Sequence, residues 1–152
     1  MRVIHYFSPM SGFAYLGVAE LCAVAKRHGA EVDHRPVDIA RVFAAIDTIA
    51  PARQAPARLA WRRKDMARWA RDEDIASEST LTALAKACGL DAVKLLSDAS
   101  SDAMAAAYDA NTQDAIAHGV IGSPTMRIAE ENFFGQDRLD FVEAELVRIN
   151  LA

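Results

Sequence analysis

The sequence predicts a single α/β domain of 152 residues, one sheet flanked by helices. Three observations carry this. A short apolar run, Val3-Ile4-His5-Tyr6-Phe7, is followed by a long helical segment and then by an alternating stretch, Glu31 to Val37. From Ile39 to Gly119 the chain reads as successive helices. The end returns to sheet at Pro124 to Phe134 and closes on one more helix. The order is β-α-β, helices, β-β-α.

The elements follow from local chemistry. Val3 to Phe7 has the length and apolarity of a buried strand. Ser8 offers a capping hydroxyl and Pro9 suits a first helical position, so the helix is expected to start there. Leu16, Leu21, Val24 and Ala25 recur at near-helical spacing, and Gly29 supplies a C-terminal stop. The two first strands are then parallel, joined by a right-handed crossover. In the middle, Ile39 to Ile49 is a short helix, and Pro51 and Pro56 punctuate the stretch after it. Arg58 to Arg71 is amphipathic with Trp61 and Trp69. Further helices are expected from Ser79 to Cys88, from Asp91 to Leu96, and from Ser101 or Asp102 to Ile116 with Gly119 as its stop. Pro124 to Ala129 reads as a strand, Glu130-Glu131-Asn132 as a hairpin turn and Phe133-Phe134 as the antiparallel return. Gly135-Gln136-Asp137 opens the last helix, with Asp137 as its cap and Leu139, Val142, Leu146 and Ile149 on one face.

Composition narrows the classes of function. The net charge of −4 and a pI near 5.5 argue against a polyanionic partner such as nucleic acid, which needs clustered positive charge. The basic cluster Arg58, Arg62, Arg63, Lys64, Arg68, Arg71 reads as a solvated helix face. Two cysteines, Cys22 and Cys88, fall in helical patterns and form no Cys-x-x-Cys, so they are expected as buried or half-buried thiols. No apolar run approaches a membrane span, and the chain enters a strand at Arg2 with no leader-like segment before it, which together point to the cytoplasm. The four histidines lack metal-ligand spacing; no metal is expected, and His5, alternating with core residues, reads as structural. Asp72-Glu73-Asp74 reads as an acidic solvated turn.

Three places can carry chemistry. Ser8-Pro9-Met10-Ser11 places two hydroxyls, with two residues between them, at a strand-to-helix turn. There a helix N-terminus favours an anion and lowers the pKa of a thiol, although Ser-Pro is also simply a good cap. A serine pair cannot cycle through a disulfide, but it can donate hydrogen bonds to a thiolate supplied from outside. Gly122-Ser123-Pro124-Thr125 places a proline at the head of a strand. This is either an edge-strand proline or a cis bond that exposes the Ser123 backbone to a peptide-like ligand. At Phe134-Gly135-Gln136-Asp137-Arg138 the alternatives are a capped helix or recognition of an amino-acid end group.

These motifs in this order resemble one family. Val3 to Gly17, with Ser8-Pro9-Met10-Ser11-Gly12-Phe13-Ala14-Tyr15-Leu16-Gly17, is similar to the opening of the 2-hydroxychromene-2-carboxylate isomerases and the kappa-class glutathione transferases. Gly119 to Thr125 and Phe133 to Val142 resemble that family's closing motifs; Asp65 to Ala70 and Gly89-Leu90-Asp91 also fit. The resemblance implies a thioredoxin-like fold, as in DsbA, with a helical insertion over approximately residues 39–118. It implies glutathione as cofactor. Ser8 is then the hydroxyl that holds the thiolate, with Ser11 beside it. Ser123 before cis-Pro124 holds the cysteinyl backbone, Gln136 and Asp137 meet the γ-glutamyl end, and Arg58 lies near the ligand. The implied reaction interconverts 2-hydroxychromene-2-carboxylate and trans-o-hydroxybenzylidenepyruvate in the breakdown of aromatic hydrocarbons, and a homodimer is implied.

Two departures stand out. The family is longer between Trp69 and Ser79, and Arg71-Asp72-Glu73-Asp74-Ile75 reads as two ends brought together, the helical lobe being shortened or a segment left out. No asparagine lies between Asp47 and Pro56, where relatives place one. The competing expectations are a transferase using the same site on another electrophile, and a non-catalytic module that docks peptides at Ser123-Pro124.

Overall fold

The computed structural model describes residues 1–50, 53–69, 79, 82, 85, 86 and 91–151. Four strands form one sheet in the order β2-β1-β3-β4. β1 (Arg2–Phe7) pairs in parallel with β2 (Glu31–Pro36), Val3 against Val32 and His5 against His34. β3 (Thr125–Ile128) runs antiparallel to β1, and β4 (Glu131–Phe134) antiparallel to β3. The crossover between β1 and β2 is α1 (Gly12–Arg27). Between β2 and β3 lie α2 (Ile39–Ala45), α3 (Pro56–Trp69), α4 (Ala92–Ala99) and α5 (Asp102–Ala117). A 3-10 turn at Gln136–Arg138 leads into α6 (Leu139–Asn150).

The central strand explains the layering. Alternate side chains of β1 point to opposite faces, and both faces are covered. On one, Val3 packs with Leu21 and Val24 of α1, Met126 and Ile128 of β3, and Val142 and Leu146 of α6. On the other, Tyr6 packs with Val37, Val42 of α2, Ala115 of α5 and Val120. The two ends of the expected helical insertion, α2 and α5, therefore lie on the sheet itself. Thr112 of α5, fully buried, accepts the Asp38 N–H (2.9 Å) and donates to the Tyr108 carbonyl (2.7 Å), fastening the start of α2 to α5.

Several sequence expectations shift by a few residues. The first helix begins at Gly12, not at Pro9. Ser11 is its cap, accepting the Ala14 N–H at 3.3 Å, while Ser8 to Ser11 form a turn closed by the Ser11 N–H on the Ser8 carbonyl at 2.9 Å. Pro9 is favoured at the second position of such a turn as much as at a helix start. The hairpin turn is Ala129-Glu130, with Ala129 at φ 50°, so Glu131 and Asn132 belong to β4. Asp137 caps nothing; it lies inside the 3-10 turn ahead of α6. Cys22 is exposed rather than buried, because the inward stripe of α1 runs through Ala14, Gly17, Leu21, Val24 and Ala25, and Cys22 falls beside it. The expected helix Ser79–Cys88 is helical at residues 79, 82, 85 and 86; its remaining residues, including Cys88, and the Asp72-Glu73-Asp74 turn lie outside the described residues. Of the basic cluster, Arg58 and Lys64 are exposed, and the other side chains lie outside the described residues.

Candidate active site

The serines meet at the carboxyl end of the sheet. The Ser8 N–H donates to the Ser123 hydroxyl at 2.8 Å, and the Ser11 hydroxyl donates to the Ser123 carbonyl at 3.2 Å. The Ser123-Pro124 bond is cis. Two serines 112 and 115 residues distant in sequence thus clamp Ser123, one by its carbonyl and the other by its hydroxyl. Among the described residues the Ser123 N–H has no hydrogen-bond partner.

The three hydroxyls differ in their remaining capacity to donate. Ser11 uses its proton on Ser123 and a lone pair on the helix start, so it is a positioning residue. Ser123 accepts from Ser8. Ser8 is 5% exposed, and its hydroxyl accepts only the Met10 N–H, at 3.3 Å, so its proton has no described acceptor. A serine hydroxyl carries one proton to donate. The start of α1 is close by and has no acidic residue in its first turn, so nothing on the helix offsets the positive end of its dipole.

The other expected site residues reach the same place by different routes. The Gly135 N–H donates to the Pro124 carbonyl at 2.9 Å, fixing the turn that carries Gln136 and Asp137 against the cis-proline loop. Gly135 has φ 113°, and the Asp137 carboxylate folds over the position a side chain would occupy there. Asp137 also lies 3.7 Å from Arg138. Gln136 packs on α1 at Gly17, where a Cβ would come within 2.7 Å of the Gln136 Cβ. Arg58 stands across a cavity of ≈ 300 Å³ that Ser123 also lines. It has no carboxylate partner among the described residues. Of the expected site residues, Ser123 and Arg58 line this cavity, Ser8 and Ser11 are bonded to Ser123, and Gln136 and Asp137 stand on the turn tied to Pro124.

The sequence reading missed the apolar walls of this cavity: Phe43, Ile49, Trp61, Ile121 and Phe134. Trp61 was within reach, since it follows Arg58 by three positions and so shares its helix face. A second missed feature lies behind the site. The Tyr6 hydroxyl donates to Asp114, which also receives Arg35 at 2.6 Å and lies 3.3 Å from His118. Burial works to raise the Asp114 pKa, but the Tyr6 hydrogen bond and the charges of His118 and Arg35 outweigh it and hold the carboxyl below its usual value. Burial, and then the Asp114 hydrogen bond, push the Tyr6 phenol up. The group is a brace between α5 and the sheet. On the α1 side of the sheet, His5 and His34 share a hydrogen bond of 2.9 Å, and burial first, then the His34 charge, lowers the His5 pKa to about 4. No cluster of three His, Cys, Asp or Glu suited to a metal occurs among the described residues, and no helix there is long and apolar enough to cross a membrane.

A β-α-β unit completed by a β-β-α unit, with a cis-proline facing the start of the first helix, defines a thioredoxin-fold protein, here with hydroxyls at Ser8 and Ser11 where a redox member carries thiols. The chain belongs to the DSBA-like thioredoxin domain family, whose profile matches residues 2–78 and 66–147. It is similar to the 2-hydroxychromene-2-carboxylate isomerase of Sphingobium xenophagum, 26% identical over 187 residues covering 93% of this chain and 96% of the relative. It is equally similar to the enzyme of that name from Pseudomonas putida, 26% identical over 194 residues, 98% of this chain and 96% of the relative. The solved structure of a 2-hydroxychromene-2-carboxylate isomerase superposes with a TM-score of 0.78 at 25% identity, covering 98% of this chain and 96% of that one. A probable DsbA oxidoreductase from Streptomyces coelicolor shares the fold at a TM-score of 0.61 and 18% identity, covering 97% of this chain and 89% of that one. Alignments of 187 and 194 residues exceed the 152 of this chain, so they run past residues the relatives have and this chain lacks. The two profile matches overlap on 66–78, where the sequence reads as a junction.

Proposed function

We propose that the chain is a glutathione-dependent isomerase that interconverts 2-hydroxychromene-2-carboxylate and trans-o-hydroxybenzylidenepyruvate. The observation that carries the reading is the Ser8-Ser123 pair: a nearly buried hydroxyl whose proton has no described acceptor, beside a helix start and a cis-proline loop whose Ser123 N–H is unpaired among the described residues. The relatives that bear the isomerase name match over nearly their whole length.

The donor set suits glutathione. The Ser123 N–H and carbonyl suit a cysteinyl backbone. The guanidinium of Arg58 suits a carboxylate, and Asp137 at the opposite side suits an ammonium. When bound, glutathione supplies a nucleophilic thiol whose reversible attack on a conjugated double bond allows that bond to rotate. The chain's own residues supply the rest. Ser8 donates a charge-assisted hydrogen bond that favours the ionised thiol, and the α1 dipole adds to it. Ser11 holds the peptide unit of Ser123 in place. The positive end of the α1 dipole stabilises negative charge that develops on the substrate's keto-acid portion. No redox change of the chain is required, which suits serines.

Calorimetric titration of glutathione into the protein, with Ser8→Ala in parallel, tests this, followed by the absorbance change on ring opening of 2-hydroxychromene-2-carboxylate. Saturable binding, weaker in the variant, and turnover only with glutathione are expected. Turnover unchanged in Ser8→Ala overturns the role of Ser8. Glutathione binding with no chromene turnover but conjugation to another electrophile makes the protein a transferase.

A further inference from the structure

The two peptide units that flank the Ser123 Cα are each held by a hydroxyl. The unit after it is fixed by Ser11, which donates to the Ser123 carbonyl at 3.2 Å. The unit before it is fixed by Thr125, whose hydroxyl donates to the Gly122 carbonyl at 2.8 Å. Thr125 is fully buried, and among the described residues the Gly122 carbonyl has no other partner. The backbone of Thr125 is itself anchored, because it stands in β3 between Tyr6 of β1 and Phe134 of β4. The Phe134 ring lies against the same loop: a Cβ on Gly122 would come within 2.4 Å of it.

We infer that Thr125 is a positioning residue for ligand binding, its hydroxyl setting the direction of the Ser123 N–H. The inference rests on the function proposed above, in which that N–H meets the cysteinyl backbone of glutathione. The carbonyl and the N–H of one trans peptide unit share a plane and point in opposite directions. With the Gly122 carbonyl drawn in to the buried Thr125, the Ser123 N–H is turned away from it, and the plane cannot rotate unless that bond breaks. The Ser11 bond does not fix this direction, because the two soft dihedrals of Ser123 lie between its N–H and its carbonyl. A buried hydroxyl costs free energy unless it is bonded, and a valine of the same shape would fill the space without that cost. The hydroxyl spends its proton on the one carbonyl that is rigidly coupled to the Ser123 N–H. A strand residue paired on both sides holds such a contact more precisely than a loop residue does. Thr125 thus acts on the ligand through Ser123, from a place the ligand does not reach.

The test combines residual dipolar couplings of the full chain, which report the direction of each backbone N–H, with calorimetric titration of glutathione. Thr125→Val keeps the shape and removes the hydroxyl. Thr125→Ser keeps the hydroxyl and loses a methyl group. In Thr125→Val the Ser123 coupling is expected to change while those of α1 and β1 stay as in wild type. Glutathione should then bind about five- to tenfold more weakly, the loss of about one net hydrogen bond. Thr125→Ser should keep the Ser123 coupling and bind glutathione within about twofold of wild type. If Thr125→Val does not fold, Thr125→Cys, a weaker donor, is read by the same coupling. A Ser123 coupling that is unchanged when the hydroxyl is removed overturns the inference, whether or not glutathione binds. Equal losses of glutathione affinity in Thr125→Val and Thr125→Ser also overturn it, because the effect is then one of packing. A changed Ser123 coupling in a protein whose wild type does not bind glutathione leaves Thr125 as the residue that aims the N–H and removes the glutathione reading instead.

Discussion

Replacing Ser11 by alanine should destabilise the protein far more than replacing Ser8, although both sit in one four-residue turn. The Ser11 hydroxyl makes two bonds, one to the Ala14 N–H at 3.3 Å and one to the Ser123 carbonyl at 3.2 Å. Loss of an N-cap costs about 1 kcal/mol. Loss of a net hydrogen bond to a carbonyl costs about another 1 kcal/mol. Ser11→Ala is therefore expected to lose about 2 kcal/mol; with a urea dependence of about 2 kcal/mol per molar, that moves the midpoint down by about 1 M. Ser8→Ala removes only an acceptor for the Met10 N–H, on a residue 92% exposed, where water replaces it. Its expected cost is about 0.5 kcal/mol or less. Urea unfolding followed by circular dichroism, paired with glutathione calorimetry, reads both effects. Ser8→Ala should lose affinity at nearly full stability. Equal midpoints for the two variants would refute the division of labour between the hydroxyls.

Three further outcomes are expected. Gly17→Ala places a Cβ 2.7 Å from the Gln136 Cβ. The overpacking costs about 1–3 kcal/mol, partly offset by about 1 kcal/mol of helix propensity, so a modest drop in urea midpoint should accompany weaker glutathione binding as the 136–138 turn is displaced. Arg58→Ala, which removes an exposed cation facing the Ser123 cavity, should weaken glutathione about tenfold in calorimetry with stability unchanged within about 0.5 kcal/mol. His5 titrates near 4 when folded and near its ordinary 6.5 when unfolded. The unfolded chain thus binds the extra proton first, and the His5 contribution is intact above pH 6.5 and lost as the pH falls toward 4. Linkage puts this at about 3 kcal/mol as an upper bound, and His5→Leu should show a flatter fall of unfolding midpoint between about pH 7 and 4 than wild type.

The apolar run Val3 to Phe7, the repeat of α1 and the alternation of Glu31 to Val37 were enough to read the parallel unit, although β1 and α1 bury several of their residues and β2 itself is only half-buried. The cap Asp91 was legible because one carboxylate preceded its helix, whereas Ser101 and Asp102 stood as alternatives until the structure showed Ser101 accepting the Met104 N–H. The first helix was misread because two serines three apart both satisfy capping chemistry, and Pro9 fits a turn as well as a helix start. The hairpin was displaced because Ala129 adopts a positive φ with no glycine or asparagine to signal it. In the site, polar residues were visible as motifs, and the family resemblance gathered them. The walls were not. Phe43 and Ile121, or Ile49 and Phe134, acquire meaning only when the fold brings distant segments face to face.

The hydroxyl tie from Ser11 to the Ser123 carbonyl has a consequence for the conditions under which the site keeps its shape. In a dithiol protein the contact between the first helix and the cis-proline loop changes whenever the sulphurs gain or lose electrons. An alcohol has no such second state: peroxide at cellular doses leaves it as it was. The nearest described thiol, Cys22, sits ten residues beyond Gly12, about 15 Å along α1, and faces solvent 3.9 Å from His34. Oxidative stress can therefore reach this molecule's surface while the clamp around Ser123 stays closed.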